Sequence, residues 1–154
     1  MLDTLLDALF PKRCAGCGAG PWPFCERCRA GIVSLGPPRC ERCGVPTARA
    51  TAACRHCPPE PIGRARAPFL FDGPVRRAVH RLKFAGWRPV AEALGASMAE
   101  ACDLEADAVT WVPLSRSRKA ERGFDQAHAL AEAVGPRMNV PVRRLLRRTA
   151  GAGP

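Results

Sequence analysis

Apolar residues recur with different periods in the two parts of the chain. Leu2, Leu5, Leu6, Leu9 and Phe10 fall on one helical stripe, with Asp3 and Asp7 outside it, and Pro11 ends the pattern. This predicts a short helix that packs over the neighbouring module. A membrane-surface helix would carry bases rather than acids on its polar face. From residue 14 to residue 57 no period survives, and Gly and Pro dominate. The run Cys57-Pro-Pro-Glu-Pro-Ile62 marks a break, which divides the chain into an N-terminal part, 1–62, and a second part, 63–154.

The second part reads as helices and strands. Residues 66–71 suggest a short strand, and Asp72-Gly73-Pro74 a turn into a helix. In that helix Val75, Val79 and Leu82 form the inner stripe, Arg76, Arg77 and Arg81 lie off it, and Gly86 closes it. A second helix is expected over 89–102, with Val90, Leu94 and Met98 on one side. The β-branched run 108–113 predicts a buried parallel strand. A mixed-charge loop over 114–123, a helix over 124–134 and a short strand at 140–142 complete the alternation, which points to an α/β domain.

Composition narrows the function. The chain is 47% apolar and 25% charged, with no tyrosine and only 6% aromatics, so its core rests on Ala, Val and Leu. An aromatic-lined binding platform is not expected on those grounds. No apolar run approaches the roughly 20 residues that span a bilayer. Asp3 and Asp7 precede the first base, Lys12, the wrong charge order for a secretory signal. No membrane association is expected, and the location expected is cytoplasmic.

Nine cysteines change the picture most. Eight form four Cys-x-x-Cys pairs: Cys14/Cys17, Cys25/Cys28, Cys40/Cys43 and Cys54/Cys57. Each pair makes a knuckle presenting two sulfurs, and two knuckles close a tetrahedral site with no position left for water or substrate. Gly18 and Gly44, each following a second cysteine, permit the positive φ such turns need. Sequential pairing (14/17/25/28 and 40/43/54/57) needs only short loops; interleaved pairing satisfies the same ligand count. A redox dithiol usually occurs once, at the start of a helix in a βαβ unit, unlike four copies among turns. Two structural zinc ions are therefore expected. His56 lies inside the last knuckle, but four sulfurs already complete that site, and Cys102 reads as a small buried residue. Eight thiolates and two Zn²⁺ lower the formal charge from +10 to about +6. Residues 1–62, with eight bases and five acids, come to about −1 when loaded, a poor phosphate-binding surface.

The other candidate chemistry follows the 108–113 segment. Ser115, Arg116, Ser117, Arg118, Lys119 and Arg122 lie beyond the carboxyl end of the predicted strand, where open α/β sheets bind ligands. Hydroxyls and guanidiniums there suit phosphate or pyrophosphate; the plainer reading is a solvated loop. Arg143, Arg144, Arg147 and Arg148 form a basic cluster, read first as a solvated face and second as a weak, salt-sensitive DNA contact. His80 and His128 read as ordinary polar residues.

The run Val112-Pro-Leu-Ser-Arg-Ser-Arg-Lys-Ala-Glu-Arg-Gly-Phe-Asp-Gln-Ala127 resembles the signature of the ComF family, phosphoribosyltransferase-like proteins associated with DNA uptake and competence. Phe71-Asp-Gly-Pro-Val-Arg-Arg-Ala-Val-His-Arg-Leu-Lys-Phe84 and the tandem cysteine knuckles are similar to that family as well. The resemblance implies a small N-terminal double zinc ribbon, then an incomplete type I phosphoribosyltransferase-like parallel sheet with flanking helices. It makes Pro113, Leu114 and Ser115 the start of a pyrophosphate loop, Arg118 and Arg122 phosphate contacts, and Gly123-Phe124 the turn into the next helix. Asp125 stands where the family usually has asparagine. Lys83 fits the Leu-Lys-Phe segment. Phosphoribosyl pyrophosphate or a related phosphate is the implied ligand, and a protein of the DNA-uptake machinery the implied partner. The family's paired acids and Thr-Thr-Gly-x-Thr phosphate loop have no counterpart before Pro154. Catalysis by this chain alone is therefore not expected, and magnesium is expected only with a complete transferase site. Two other readings stand beside this one. The chain is a zinc-ribbon binding module docking on protein or DNA without catalysis, or an incomplete product whose apolar edge near 109–112 is exposed.

Overall fold

The computed structural model describes residues 13–148; the helix predicted at 1–10 lies outside them. Five α-helices follow in order: α1 (Glu26–Ala30), α2 (Gly73–Phe84), α3 (Pro89–Ala101), α4 (Arg116–Arg122) and α5 (Gln126–Val134), with a 3₁₀ turn at Gly135–Met138. No described helix is long and apolar enough to cross a membrane.

The apolar stripes do what their spacing demands. α2 starts at Gly73 with a proline in its first turn, where a missing N–H costs nothing, and buries Val75, Ala78 and Leu82. α3 also starts on proline and buries Val90, Ala91, Leu94 and Gly95. Met98, placed on the inner stripe by spacing, is 39% exposed instead. α3 and α5 pack side by side at Gly95, where an added Cβ would stand 2.5 Å from the Ala133 Cβ.

That contact sets up opposing effects for Gly95→Ala. Removing a glycine from a helix interior gains about 1 kcal/mol, whereas forcing two close-packed helices apart costs about 1–3 kcal/mol. The clash is with a short side chain that has no rotamer to escape into, so the cost wins. The variant is expected to unfold at lower urea than the parent, measured by far-ultraviolet circular dichroism.

The predicted sheet is not seen. Among the described residues there is no strand of ladder length, only single backbone bridges. The 108–113 segment makes one parallel bridge, Val109 to Val142, with Val109 N–H donating to Pro141 O and Arg143 N–H to Val109 O. Val112 is 70% exposed. The segment at 66–71 makes one antiparallel bridge, Phe69 to Ser34. The expected loop at 114–123 is largely helix: α4 occupies Arg116–Arg122. The helix expected from 124 begins at Gln126, behind an Asp125 cap.

The main core joins the first cysteine cluster to the helices. Cys14, Ala15, Phe24 and Cys28 are buried in one apolar cluster with Ala78 and Leu82 of α2, Val90, Ala91 and Leu94 of α3, and Phe124. Trp22 and Trp87 meet across this seam with ring centroids 6.1 Å apart. No residue between 33 and 68 belongs to this cluster.

Candidate metal centres and the 113–126 turn

The eight cysteines fall into two groups, Cys14/Cys17/Cys25/Cys28 and Cys40/Cys43/Cys54/Cys57, the sulfurs of each within 4.8 Å of one another. Pairing is sequential. All nine cysteines are free thiols. A tetrahedron with zinc–sulfur bonds of about 2.3 Å has sulfur–sulfur edges of about 3.8 Å. The structure has Cys17–Cys25 at 3.7 Å, Cys40–Cys57 at 3.6 Å and Cys43–Cys54 at 3.4 Å, close to those edges. Gly18 and Gly44 take the expected positive φ, 81° and 72°. Backbone amides also face the sulfurs: Cys25 N–H donates to Cys14 Sγ at 3.3 Å and Cys54 N–H to Cys57 Sγ at 3.2 Å. The two Cys₄ clusters fit two structural zinc sites. His56 stays out of the second, its Nε2 accepting from Arg55 Nε.

Without metal each cluster shares its protons unevenly. Burial pushes the Cys14 thiol up, but backbone hydrogen bonds from Cys17 and Cys25 outweigh it and bring Cys14 down to about 6. The backbone of Cys43, partly offset by burial, brings Cys40 down to about 6. Burial and then the neighbouring thiols push Cys28 up to about 12. Each cluster thus holds a thiol whose ionisation is eased, Cys14 in the first and Cys40 in the second, and zinc displaces the remaining protons as it binds.

The first knuckle is held from outside by α2. Arg77 Nε donates to Gly16 O at 2.8 Å, and Arg81 Nη1 to Ala15 O at 2.5 Å. The second ribbon is held differently. Arg66 makes a two-pronged contact with Asp103 (Nε–Oδ1 2.7 Å, Nη2–Oδ2 3.1 Å), and Arg39 reaches the same carboxylate at 3.2 Å. Arg66 holds the Asp103 carboxyl below its usual range. The contact therefore contributes in full above the unfolded carboxylate's pKa of about 4. It fades only as the pH falls through the depressed value.

The Ser115, Arg118, Arg122 and Gly123 set lies on one short unit. Ser115 Oγ caps α4, accepting from Arg118 N–H at 3.3 Å, and Gly123 ends it in the left-handed conformation at φ 73°. The Arg118 side chain is exposed. Arg122 lies over the Phe84 ring at 5.1 Å and donates through Nη1 to Gln126 Oε1 at 3.1 Å. Its Nε is buried with no acceptor. Gln126 is 5% exposed and donates in turn to Phe124 O.

Residues 5–58 match the double zinc ribbon domain family. Over 133 residues the chain is 26% identical to the competence protein ComFC of Bacillus subtilis (strain 168). These matches support a ComF-family assignment. The alignment takes in 79% of this chain and 55% of the relative, so the chain spans about half the length of the curated protein it matches. No solved structure matches it.

The ribbon ligands were readable from spacing, but three supporting groups were not. Arg77 and Arg81 read as surface charges, and Asp103 carried no motif. Asp125, set apart as a departure from the family's asparagine, has a structural task of its own. One oxygen accepts from the amides of Ala127 and His128, capping α5, and the other accepts from Leu114 N–H at 3.1 Å. It thereby ties the end of the 108–113 segment to α5. Asp125→Ala removes a cap worth about 1 kcal/mol and strands a partly buried amide for about another 1 kcal/mol. A loss of about 2 kcal/mol in urea unfolding is expected. Asp125→Asn, which keeps one acceptor oxygen, should recover part of it.

Proposed function

We propose that the chain is a ComF-like phosphoribosyltransferase-family protein serving competence, as the relative's name suggests, and that it binds a phosphoribosyl or pyrophosphate group at Ser115, Arg118, Arg122 and Gly123 without catalysing transfer by itself. One observation carries this reading: the buried Nε of Arg122 has no acceptor, on the same short helical unit as an exposed Arg118 and the Ser115 hydroxyl. A donor without a partner in a guanidinium-rich turn is a reason to expect an anion. The implied fold is a zinc ribbon followed by part of a transferase-like parallel sheet, to which the Val109–Val142 bridge would belong. The domain division at residue 62 and a cytoplasmic location belong to the same proposal.

In this reading Arg118 and Arg122 would balance the charge of a pyrophosphate, and Gly123 would let the backbone turn close beneath it. Zinc would supply rigidity and no chemistry, because a closed Cys₄ site has no open position. Titration calorimetry of the zinc-loaded chain with phosphoribosyl pyrophosphate and magnesium tests the proposal. Saturable binding, weakened roughly tenfold or more by Arg118→Ala and accompanied by no pyrophosphate release, is the expected result. Absence of binding, or binding indifferent to Arg118, would overturn it. DNA binding that weakens steeply with salt in that same protein would favour a docking module instead.

A further inference from the structure

We infer that the two zinc sites are unequal in hold: the first is locked into the helical body through Arg77 and Arg81, and the second is a peripheral site that exchanges its metal while the body stays folded. The inference rests on the zinc fit of the cysteine clusters and is independent of the phosphate-binding proposal.

The first site is surrounded by core. Cys14 and Cys28 are 0% and 3% exposed, and both belong to the apolar cluster that contains Leu82 and Val90. The residues between its first two ligands, Ala15 and Gly16, present their carbonyls to two guanidiniums one helical turn apart on α2. A zinc bound by four thiolates carries two net negative charges, and two fixed cations beside the knuckle offset them. Arg81 is further held over the Trp87 ring, 5.7 Å from its centroid. Opening this knuckle therefore means breaking both guanidinium contacts and exposing the core. Arg77 and Arg81 are positioning residues in this account, since they touch the carbonyls between the ligands.

The second site has none of this. Cys40 alone among its ligands is fully buried, and no ligand joins the main core. Among the described residues its ribbon meets the remainder of the protein through the Ala65–Arg42 backbone bond, the Leu35–Pro68 and Leu70–Val33 backbone bonds at its flanks, and the Arg39 and Arg66 contacts with half-exposed Asp103. Segments with few buried apolar contacts open at low free energy without global unfolding, and a bound metal leaves through such openings.

Challenge of the zinc-loaded chain with excess 4-(2-pyridylazo)resorcinol at neutral pH, with helical circular dichroism followed in parallel, tests this directly. Two phases of one zinc each are expected, the fast one leaving the helical signal unchanged and the slow one carrying its loss. Arg77→Gln/Arg81→Gln should speed the slow phase alone, roughly 10- to 100-fold, and Asp103→Asn the fast phase alone. If the double variant does not fold, Arg77→Lys, which keeps charge but loses the planar fork, should still speed only the slow phase. A single phase releasing both ions would overturn the inference. So would helix loss in the fast phase, or arginine variants that speed it.

Discussion

Replacing Cys28 with serine is expected to abolish the helical body together with the first zinc. Cys28 is both a metal ligand and a core residue, 3% exposed in the cluster that holds α2 and α3. Structural zinc contributes on the order of 10–16 kcal/mol in isolated zinc modules, and a domain's whole stability is about 5–15 kcal/mol. Losing one thiolate of four weakens the zinc term by more than the domain has to spare, and the hydroxyl left behind is buried without a designed partner. Circular dichroism of the purified variant should show most helical signal gone, and metal analysis of the same sample fewer than two zinc ions per chain. Cys43→Ser in the second ribbon should lose one zinc and retain the helices, because no second-site ligand belongs to the main core. Equal loss of helix in both variants would contradict the account.

The second large effect is expected at Leu82. Its side chain is 1% exposed, in the one buried cluster that also holds Cys14 and Phe24 of the ribbon and Val90 and Leu94 of α3. Leu82→Ala removes buried methyl groups and leaves a cavity that rigid neighbours cannot fill, which costs about 2–5 kcal/mol. The Cys₄ knuckle is among those neighbours, and a metal-braced turn collapses less readily than a helix side chain. The upper half of that range is expected, read from urea unfolding of the zinc-loaded protein. A loss under about 1 kcal/mol would mean that ribbon and helices do not share a core.

What could be read from the sequence depended on how far apart the partners lie. The ligands of the two zinc sites span 14 and 17 positions, from Cys14 to Cys28 and from Cys40 to Cys57, so spacing alone reveals them. The guanidiniums that hold the first knuckle reach across 61 and 66 positions, and Arg66 reaches Asp103 across 37. Such contacts exist only after folding, and a surface arginine on a helix gives no sign of which carbonyl it will meet.

The helices show the same division. α2 and α3 were legible because their apolar residues recur with the helical period. α4 was not, since Arg-Ser-Arg-Lys-Ala-Glu-Arg has no stripe and buries none of its residues. It is held at its ends, by the Ser115 cap and by Gly123. The 108–113 run was read as a buried parallel strand, but β-branched residues cannot specify how many neighbours a strand will have. Among the described residues it finds one bridge, and Val112 stays exposed. Asp125 shows a third kind of illegibility: as a family departure it looked uninformative, yet its two oxygens collect three amides from two separate segments.

The central claim is that two closed Cys₄ zinc sites, formed by sequential knuckle pairs, organise the N-terminal part of this chain. Native mass spectrometry of the purified protein, joined to zinc K-edge absorption on that sample, tests it most directly. The account predicts two zinc ions per chain and a shell of four sulfurs at about 2.3 Å, with no nitrogen ligand. A single zinc, a mixed sulfur and nitrogen shell, or a mass short by the hydrogens lost to disulfides would contradict it.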